Sequence, residues 1–293
     1  MMLKTNVLKI YAMTAVVCVL AMSSCKEDEP SSLTLQDTAD LTEEALTDSY
    51  FQDVDDMAGI AIETPTDAEY SSGRTSGVVT IQDHRFECAG VTVTIASDAT
   101  STEAHPRGVL TIDFGSTGCT DAKGNVRTGK LIFTYDGRRF EPGSTVITTT
   151  ENYFINGVKL EGTRTLTNKS NSTDTAPRFG VVLANGKATF PNEQIATRES
   201  NITWQWNRGE TRLDDHLVIE STSTASGTTR GGRDYDMMLL EPLVYKRHCG
   251  IAVSGIKKYT INGEREVTID YGDGTCDRAF TVTVNGVTHQ VGM

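Results

Sequence analysis

A stretch that occurs twice constrains this chain more than any other feature. The first copy, Leu110 to Gly115, reads Leu-Thr-Ile-Asp-Phe-Gly, and the second, Val267 to Gly272, reads Val-Thr-Ile-Asp-Tyr-Gly. A cysteine follows each copy, Cys119 after the first and Cys276 after the second. Apolar and polar residues alternate in both copies, which is the pattern of a strand with one buried face. We therefore interpret the copies as corresponding parts of two related β units.

Each copy also has a cysteine upstream, which predicts how the thiols pair. Four cysteines allow three pairings, and the repeat selects Cys88 with Cys119 and Cys249 with Cys276. Disulfides are typical of exported proteins in an oxidising compartment. A metal site is the alternative use of these thiols, but the chain has no Cys-x-x-Cys spacing of the kind found in zinc sites.

The aspartates of the repeat have two interpretations. Asp113 and Asp270 leave the apolar face of the strand just before a turn, where an aspartate often accepts hydrogen bonds from the following backbone amides. The alternative is a calcium site formed by Asp270, Asp273 and Asp277, although the alternating acidic spacing of an EF-hand loop is missing.

The rest of the body also has the pattern of antiparallel strands. From Val78 onward the apolar residues recur with a period of two, and Asn-Gly pairs punctuate the pattern. Asn-Gly supplies the two positive φ angles of a type I′ turn, so each pair predicts a hairpin tip. The pairs are Asn156-Gly157, Asn185-Gly186, Asn262-Gly263 and Asn285-Gly286.

These signals predict a mainly β fold. We expect an antiparallel hairpin meander that forms a large sheet, a sandwich or an open barrel from two related halves. The β-rich body would occupy 78–293. The polar segment Asn168 to Pro177 would divide this body into halves at 78–168 and 178–293.

One N-terminal amphipathic helix is predicted over Leu41 to Ile60. Thr42 is its expected cap, and Gly59 and Pro65 are expected to end it. The early acids, Glu43, Glu44 and Asp48, lie where the positive end of the helix dipole favours them. We expect an apolar stripe at spacings of three to four to pack on the sheet. The stripe consists of Leu41, Ala45, Tyr50, Val54, Met57 and Ala58.

The segment 1–24 has the organisation of an export signal. Lys4 and Lys9 form a positive start, and Ile10 to Met22 is apolar apart from Thr14 but too short to span a membrane. The small residues before Cys25 resemble a bacterial lipobox, which implies that Cys25 becomes the lipidated N-terminus. Acyl chains would then anchor the protein by hydrophobic transfer. The alternative is an ordinary secreted protein that is cleaved nearby.

An acidic run at 26–29 begins a tether or linker that we predict over 25–40. The run resembles the surface-export signal of Bacteroidetes lipoproteins, which implies an outer-membrane protein exposed at the cell surface. A periplasm-facing anchor is the alternative. Two Asp-Thr-Ala triplets resemble the O-glycosylation motif of the same bacteria, which implies modification of Thr38 and Thr175.

The net charge argues against nucleic-acid binding, and the motif content argues against several classes of enzyme. The chain has 27 basic and 39 acidic residues, for a net charge of −12. We expect no nucleic-acid partner, because phosphate binding needs a basic stripe. The chain contains no Gly-x-Ser-x-Gly elbow, phosphate loop or His-Glu-x-x-His motif. We therefore assign no catalytic residue, metal or cofactor.

The aromatic residues supply the candidate ligand contacts. Trp204 and Trp206 lie two apart in a strand-like stretch, so they share one face. Two indoles side by side would stack on sugar rings, although burial in a core is the commoner fate of tryptophan. We add Tyr153 and Tyr245 to this candidate set.

The lipobox, the acidic tether, the cysteine-bearing motifs and the stretch Asn152 to Gly162 together resemble a group of uncharacterised Bacteroidetes lipoproteins. The resemblance spans most of the mature chain and implies an exported, lipid-anchored β protein, but it carries over no catalytic residues. We expect a non-enzymatic envelope lipoprotein with a structural role or with a glycan or envelope protein as its partner. The alternatives are a surface glycan-binding module and a glycan hydrolase that uses paired carboxylates.

Overall fold

The fold is described by a computed structural model that covers residues 34–72, 76–80, 85–86, 88, 90–211, 214–246, 249, 251–277 and 279–292. Over these residues a long helix, α1 (Leu35–Ser72), precedes a sheet of sixteen strands. The strands are β1 (Ser76–Val79), β2 (Thr92–Ser97), β3 (Arg107–Asp113), β4 (Cys119–Thr120), β5 (Val126–Asp136), β6 (Thr145–Ile155), β7 (Val158–Asn168), β8 (Arg178–Thr189), β9 (Ile195–Asn207), β10 (His216–Ile219), β11 (Thr224–Thr228), β12 (Asp234–Lys246), β13 (Ala252–Ile261), β14 (Arg265–Asp273), β15 (Ala279–Val284) and β16 (Val287–Gly292).

The strands form one antiparallel meander. Neighbours in the sheet follow chain order, except that β4 pairs beside β5, and β11 pairs with both β9 and β12. The prediction of a mainly β, antiparallel fold with an N-terminal helix is confirmed, in its large-sheet form. Strands β7 and β8 pair directly, so the sheet is continuous across the segment predicted to divide the body.

Three of the Asn-Gly pairs form the predicted hairpin tips. Both residues of each pair have positive φ, at 52° and 79° for Asn156-Gly157, 50° and 73° for Asn262-Gly263, and 46° and 86° for Asn285-Gly286. These are the angles that a type I′ turn requires. The turns connect β6 to β7, β13 to β14 and β15 to β16.

The prediction of a hairpin tip at Asn185-Gly186 is wrong. Both residues lie inside β8, whose pairing with β9 shifts register between Leu183 and Gly186. Asn185 has a φ of 54°, which fits a bulge that inserts one extra residue. A Cβ on Gly186 would lie 2.3 Å from the carbonyl oxygen of Arg198. The glycine therefore permits a close backbone approach and does not form a turn.

The repeated stretch has the same local structure in both copies. The Asp113 carboxylate accepts a hydrogen bond from the backbone amide of Gly115 at 2.8 Å, and Asp270 accepts one from Gly272 at 2.9 Å. Gly115 and Gly272 both have positive φ, at 71° and 86°. These aspartates close Asx-type turns, which is the structural interpretation of the repeat.

The disulfides join the cysteines that the repeat pairs. The Cα atoms of Cys88 and Cys119 lie 5.6 Å apart, and those of Cys249 and Cys276 lie 5.4 Å apart, within the usual range for a disulfide. In each case the bond connects the segment before a strand pair to the segment after it. We call β2 with β3 the first repeat unit and β13 with β14 the second repeat unit.

The start of α1 differs from the prediction because of its cap. The helix begins at Leu35, inside the stretch predicted as a linker. The Thr34 hydroxyl accepts a hydrogen bond from the amide of Asp37 at 3.1 Å, and the Asp37 carboxylate accepts one from the amide of Thr34 at 2.9 Å. This reciprocal pair is a capping box in which aspartate replaces the usual glutamate. Thr42, the predicted cap, lies inside the helix and donates its hydroxyl to the Thr38 carbonyl.

The predicted end of α1 also differs from the structure. The helix continues through Gly59 and Pro65 to Ser72. Glycine costs a helix roughly 1 kcal/mol relative to alanine. Proline removes one N–H donor and adds a clash with the preceding turn. Nothing in the structure explains how the helix accommodates them.

The face of α1 that packs on the sheet changes character along the helix. Its buried residues recur at spacings of three to four, as one helical face requires. They are acidic or polar at first and apolar afterwards: Asp37, Asp40, Glu44, Thr47, Phe51, Val54, Met57 and Ala58. The predicted stripe is therefore correct at Val54, Met57 and Ala58. Leu41 and Ala45 are only half-buried.

Arginines on the inner face of the sheet explain why carboxylates are buried on α1. Buried charges are tolerated when they are paired and hydrogen-bonded. The helix carboxylates meet arginines from β14, β12, β9, β7 and β5 or from the segments just before them. The pairs are Asp37–Arg265, Asp40–Arg233, Glu44–Arg198, Asp55–Arg164 and Asp53–Arg127. The helix therefore crosses the strands of the sheet.

The core consists of two buried clusters. The first joins the apolar part of α1 to the inner faces of β2 to β9, and the second lies on β11 to β15. Leu41, near the start of α1, packs against the second cluster. No helix within the described residues combines the length and the hydropathy needed to cross a membrane.

Candidate ligand-binding cavity

The inner face of the sheet carries aromatic and aliphatic rows where β9, β10 and β12 lie side by side. In the register, Leu217 of β10 lies beside one residue of each neighbouring strand, and Ile219 lies in the next row on the same face. The rows are Trp206–Leu217–Tyr245 and Trp204–Ile219–Leu243. They form a wall that borders two adjoining spaces.

The outer space, which we call the mouth, has a volume of about 350 Å³. It is lined by Trp204, Trp206, Asp215, His216, Leu217, Tyr245, Lys246 and Ile251. Its polar groups are already engaged at two positions: Asp215 accepts the amide of Gly209 at 3.0 Å, and the Lys246 ammonium donates to the Gly274 carbonyl at 2.7 Å. The mouth is therefore mainly an aromatic opening.

The inner space, which we call the chamber, has a volume of about 680 Å³ and lies between α1 and the sheet. Trp204, Leu217 and Tyr245 line both spaces, so the mouth and the chamber adjoin at these side chains. Most of the chamber wall is apolar, with Leu166, Phe179, Val181, Ile202, Ile219, Met237, Leu239 and Leu243 among its residues. This volume and this lining are typical of small-molecule sites.

Arginines at the chamber wall are held by carboxylates of α1. Arg198 is 2% exposed, pairs with Glu44 and lies 2.8 Å from the Asp48 carboxylate. Arg164 pairs with Asp55. These interactions neutralise the guanidinium groups and tie the helix to the sheet.

Lys257 differs from Arg164 and Arg198 in its contacts. Its ammonium lies 5.7 Å from the centre of the Tyr259 ring, a cation–π contact. No carboxylate of the described residues lies within ion-pair distance of it. Burial would lower the pKa of Lys257, but the electrostatic influence of Tyr259, Tyr271 and Glu44 raises it well above its ordinary value.

Tyr259 connects Lys257 to a hydrogen-bonded network of Glu44, Arg198 and Tyr235, which we call the floor of the chamber. Its hydroxyl donates to Glu44 at 2.6 Å, and the same carboxylate pairs with Arg198. Arg198 also donates to the Tyr235 hydroxyl at 3.2 Å. This continuous network fixes the tyrosine ring beneath the lysine.

The structure brings together three of the four candidate ligand contacts. Trp204, Trp206 and Tyr245 line the mouth, and burial raises the pKa of Tyr245 to about 12. Both tryptophans are half-buried: the Trp204 ring stacks on Phe179 with centroids 4.6 Å apart, whereas the guanidinium of Arg208 lies 4.8 Å from the Trp206 ring.

Tyr153 lies apart from the other candidates. It is 0% exposed, in the first core cluster, and its ring centroid lies 5.9 Å from that of Phe114. Burial and the charge of Asp53 raise its pKa. Tyr153 is therefore a core residue, and its assignment as a ligand contact is wrong.

The remaining predicted sites are distributed over the molecule. Asp270, Asp273 and Asp277 each accept a backbone amide two residues further on. The described residues contain no group of three or more His, Cys, Asp or Glu side chains placed to hold a metal ion. Thr175 is exposed in the loop between β7 and β8.

The first glycosylation triplet and the leader need separate comment. Thr38 lies inside α1 beside the buried Asp37, whose pKa burial would raise but which Arg265 and Thr34 lower below its ordinary value. The first triplet is therefore helical and is not an open segment. The predicted signal peptide at 1–24, the predicted lipidation site Cys25 and the acidic run lie outside the described residues.

Comparison of the chain with protein-family models, with curated proteins and with solved structures found no match. The site must therefore be interpreted from its own geometry. Sequence reasoning missed Lys257 and the inward-facing arginines. The sequence does contain a signal for Arg198. It is a charged residue on the face of β9 that also carries the apolar residues Ala196 and Ile202.

Proposed function

We propose that this chain is a lipid-anchored, non-enzymatic binding protein of the cell envelope, and that its chamber holds a small ligand. The anchor is inferred from the lipobox at Cys25. The binding role is inferred from one observation, a chamber of about 680 Å³ that adjoins an aromatic mouth. Solvent-filled space of this size beside an apolar wall costs packing contacts, so a bound ligand would recover them.

The pairing of the chamber carboxylates favours binding over hydrolysis. A glycan hydrolase needs two carboxyl groups that face its substrate. The carboxylates at the chamber wall, Asp48 and Asp55, are both paired with arginines, Arg198 and Arg164. Their role in this geometry is to hold α1 against the sheet.

A glycan-binding role is the second candidate, and the aromatic mouth favours it. Trp206 and Tyr245 flank Leu217 in one row, and aromatic faces of this kind stack on sugar rings. A glycan would occupy the mouth without filling the chamber. Trp206→Ala should then abolish glycan binding and leave binding in the chamber unchanged.

Calorimetric titration with dodecan-1-ol, a neutral apolar probe, tests the chamber. The protein would be the mature chain from residue 25 with Cys25→Ser, which needs no detergent. We expect saturable binding to the unmodified cavity. Leu217→Trp places a larger side chain where the mouth meets the chamber and should weaken binding at least tenfold. Val218→Trp is the matched control, because Val218 is adjacent on β10 and points to the opposite face.

The anchor is tested separately by membrane fractionation of the full chain. Cys25→Ser should move the protein out of the membrane fraction, because the acyl chains supply the attachment. Retention of the variant in the membrane fraction would contradict the anchor. Failure of dodecan-1-ol and of anionic amphiphiles of the same chain length to bind, or equal binding by the Leu217→Trp and Val218→Trp variants, would contradict the binding role.

A further inference from the structure

We propose that the chamber selects a single-chain amphiphile with an anionic head, with Lys257 binding the carboxylate or phosphate group and the apolar wall holding the chain. This inference rests on the proposed binding role and names the class of ligand. It begins from the two repeat units, which allow the chamber to be compared with an equivalent place in the same molecule.

The register of the sheet identifies the equivalent of Lys257. In the first repeat unit, Ile112 pairs with Val93, and in the second, Ile269 pairs with Lys257. Ile112 and Ile269 occupy the same position of the repeated stretch. The fold therefore accepts a buried valine at this position, and the lysine of the second unit is a departure from the repeat.

A departure of this kind needs a reason beyond folding. An ammonium that faces an apolar cavity loses hydration, and this loss is offset only by a counter-charge or by hydrogen bonds. Arg198 and Arg164 pair with carboxylates of α1. The Lys257 ammonium instead lies over the Tyr259 ring. An anion that enters the chamber would supply the missing counter-charge.

The surroundings of Lys257 define the rest of the ligand. The adjacent inward residue on β12 is Leu239, and the adjacent residue on β14 is Ile269. Leu239, Leu243 and Met237 continue the apolar wall toward the chamber floor and the mouth. A head group at Lys257 would therefore leave its alkyl chain against aliphatic side chains. A uniformly polar ligand such as a sugar would leave this wall unmatched.

The net charge of the protein strengthens the assignment. With a net charge of −12, the surface repels anions at long range, so an anionic ligand is not held by a general basic field. Binding of an anion must come from local groups in the chamber. Arg85 and Arg139 also line the chamber, and we assign the anion to Lys257 because the aliphatic residues Leu239 and Ile269 lie directly beside it.

The experiment compares three ligands of equal chain length, dodecanoate, dodecyl phosphate and dodecan-1-ol, by calorimetric titration of the detergent-free protein. The first two separate a fatty-acid head from a phosphorylated lipid head, and the third lacks the charge. We expect at least one anion to bind about tenfold to a hundredfold more tightly than the alcohol, as a charge-assisted hydrogen bond would predict. The chain's two tryptophans both line the mouth, so their fluorescence provides a second readout.

The decisive variant is Lys257→Val, the residue that the first repeat unit has at this position. It should lose the preference for the anion and retain binding of the alcohol. Lys258→Val is the matched control, because Lys258 is adjacent on β13, points to the opposite face and pairs with Glu266. It should change the affinity for dodecanoate less than twofold. Lys257→Arg should keep most of the preference.

The outcomes separate the two proposals. Equal affinity of the native protein for the anions and the alcohol would overturn the anion assignment and leave the binding role intact. An unchanged anion preference in the Lys257→Val protein would also overturn it. Absence of binding by all three ligands would overturn the binding role itself. If Lys257→Val does not fold, the ligand comparison on the native protein still decides the question.

Discussion

The two repeat units share a sequence motif, a turn and a disulfide, but they face different surroundings. The inward residues of the first unit include Val93, Ile95, Leu110 and Ile112, all at most 5% exposed. At the equivalent positions the second unit has Lys257 and Tyr259 on β13, and its Ile269 is only half-buried. One unit closes a packed core, and the other borders a cavity.

Helix α1 explains the difference. Its apolar residues Phe51, Val54 and Met57 belong to the same core cluster as the first repeat unit. Its acidic N-terminal part meets the second half of the sheet, where Glu44 bonds to Tyr259 and Asp37 pairs with Arg265. The apolar part of the helix therefore packs on apolar residues of the sheet, and its acidic part bonds to polar and basic ones. The first repeat unit therefore lies in a packed core, and the second borders the chamber.

The disulfides offer the largest test of this comparison. They separate cysteines by 31 and 27 residues, so the chain-entropy relation predicts similar contributions of roughly 3–4 kcal/mol each. Replacing both cysteines of either pair by serine should lower the free energy of unfolding by about this amount in urea denaturation. Loss of Cys249–Cys276 should also weaken binding of ligands at the mouth, because Ile251 at the mouth is close to Cys249 in the chain.

The comparison would fail if loss of Cys88–Cys119 weakened ligand binding and loss of Cys249–Cys276 did not. Denaturation of the two serine variants and of the native protein should be followed by circular dichroism under the same conditions. Similar far-ultraviolet spectra before denaturation would show that both variants retain the sheet.

Truncation of the repeated isoleucine should give a smaller but unequal effect. Ile112 is 0% exposed in the packed unit, so Ile112→Ala should cost about 3 kcal/mol of unfolding free energy through lost burial and a residual void. Ile269 lies beside Lys257 and is half-buried, so Ile269→Ala should cost about 1 kcal/mol. Urea denaturation of the two variants measures both values. Equal costs would mean that the second unit is as tightly packed as the first.

Local patterns were sufficient to predict the strands, most of the hairpin turns and the disulfides. Each of these depends on residues that are close in the chain or on the repeat itself. The period of two marks a buried face, Asn-Gly marks a type I′ turn, and Asp113 and Asp270 close turns on amides two residues away. The start of α1 was predicted wrongly at Leu41, although the capping box at Thr34 and Asp37 is a local signal.

The cavity could not be predicted in the same way, because its charges are assembled from distant parts of the chain. Glu44 and Arg198 are separated by 154 residues. The residues near Glu44 in the sequence therefore do not predict its partner. Tyr153 and Tyr245 both follow strand-like patterns, yet one fills a core and the other lines the mouth. Lys257 is recognised as unusual only from the strand register. It pairs with Ile269, whereas Val93 pairs with the equivalent Ile112 in the first repeat unit.

A pH titration gives the smallest effect and compares the carboxylates that follow the downstream cysteines. Asp121 has a fully buried side chain, and its carboxylate accepts a hydrogen bond from Arg127 at 2.6 Å. Burial would raise the pKa of Asp121, but bonds from Arg127 and Asn125 lower it to about 2, from an ordinary value of 3.8. In the second unit, Asp277 is exposed and accepts the amide of Ala279 at 3.0 Å.

A folded-state pKa below the unfolded value stabilises the protein above the unfolded pKa, and this contribution is lost as the pH falls through the folded pKa. For Asp121 the loss should amount to about 2 kcal/mol between roughly pH 5 and pH 2. Asp121→Asn should flatten this part of the pH dependence of the unfolding free energy, measured by urea denaturation at each pH, and Asp277→Asn should leave it nearly unchanged. If Asp277→Asn removed as much acid sensitivity as Asp121→Asn, the second unit would carry a charge-stabilised link like that of the first. The proposed contrast between a closed and an open unit would then be wrong, because a buried ion pair beside the cysteine is part of what closes the first unit.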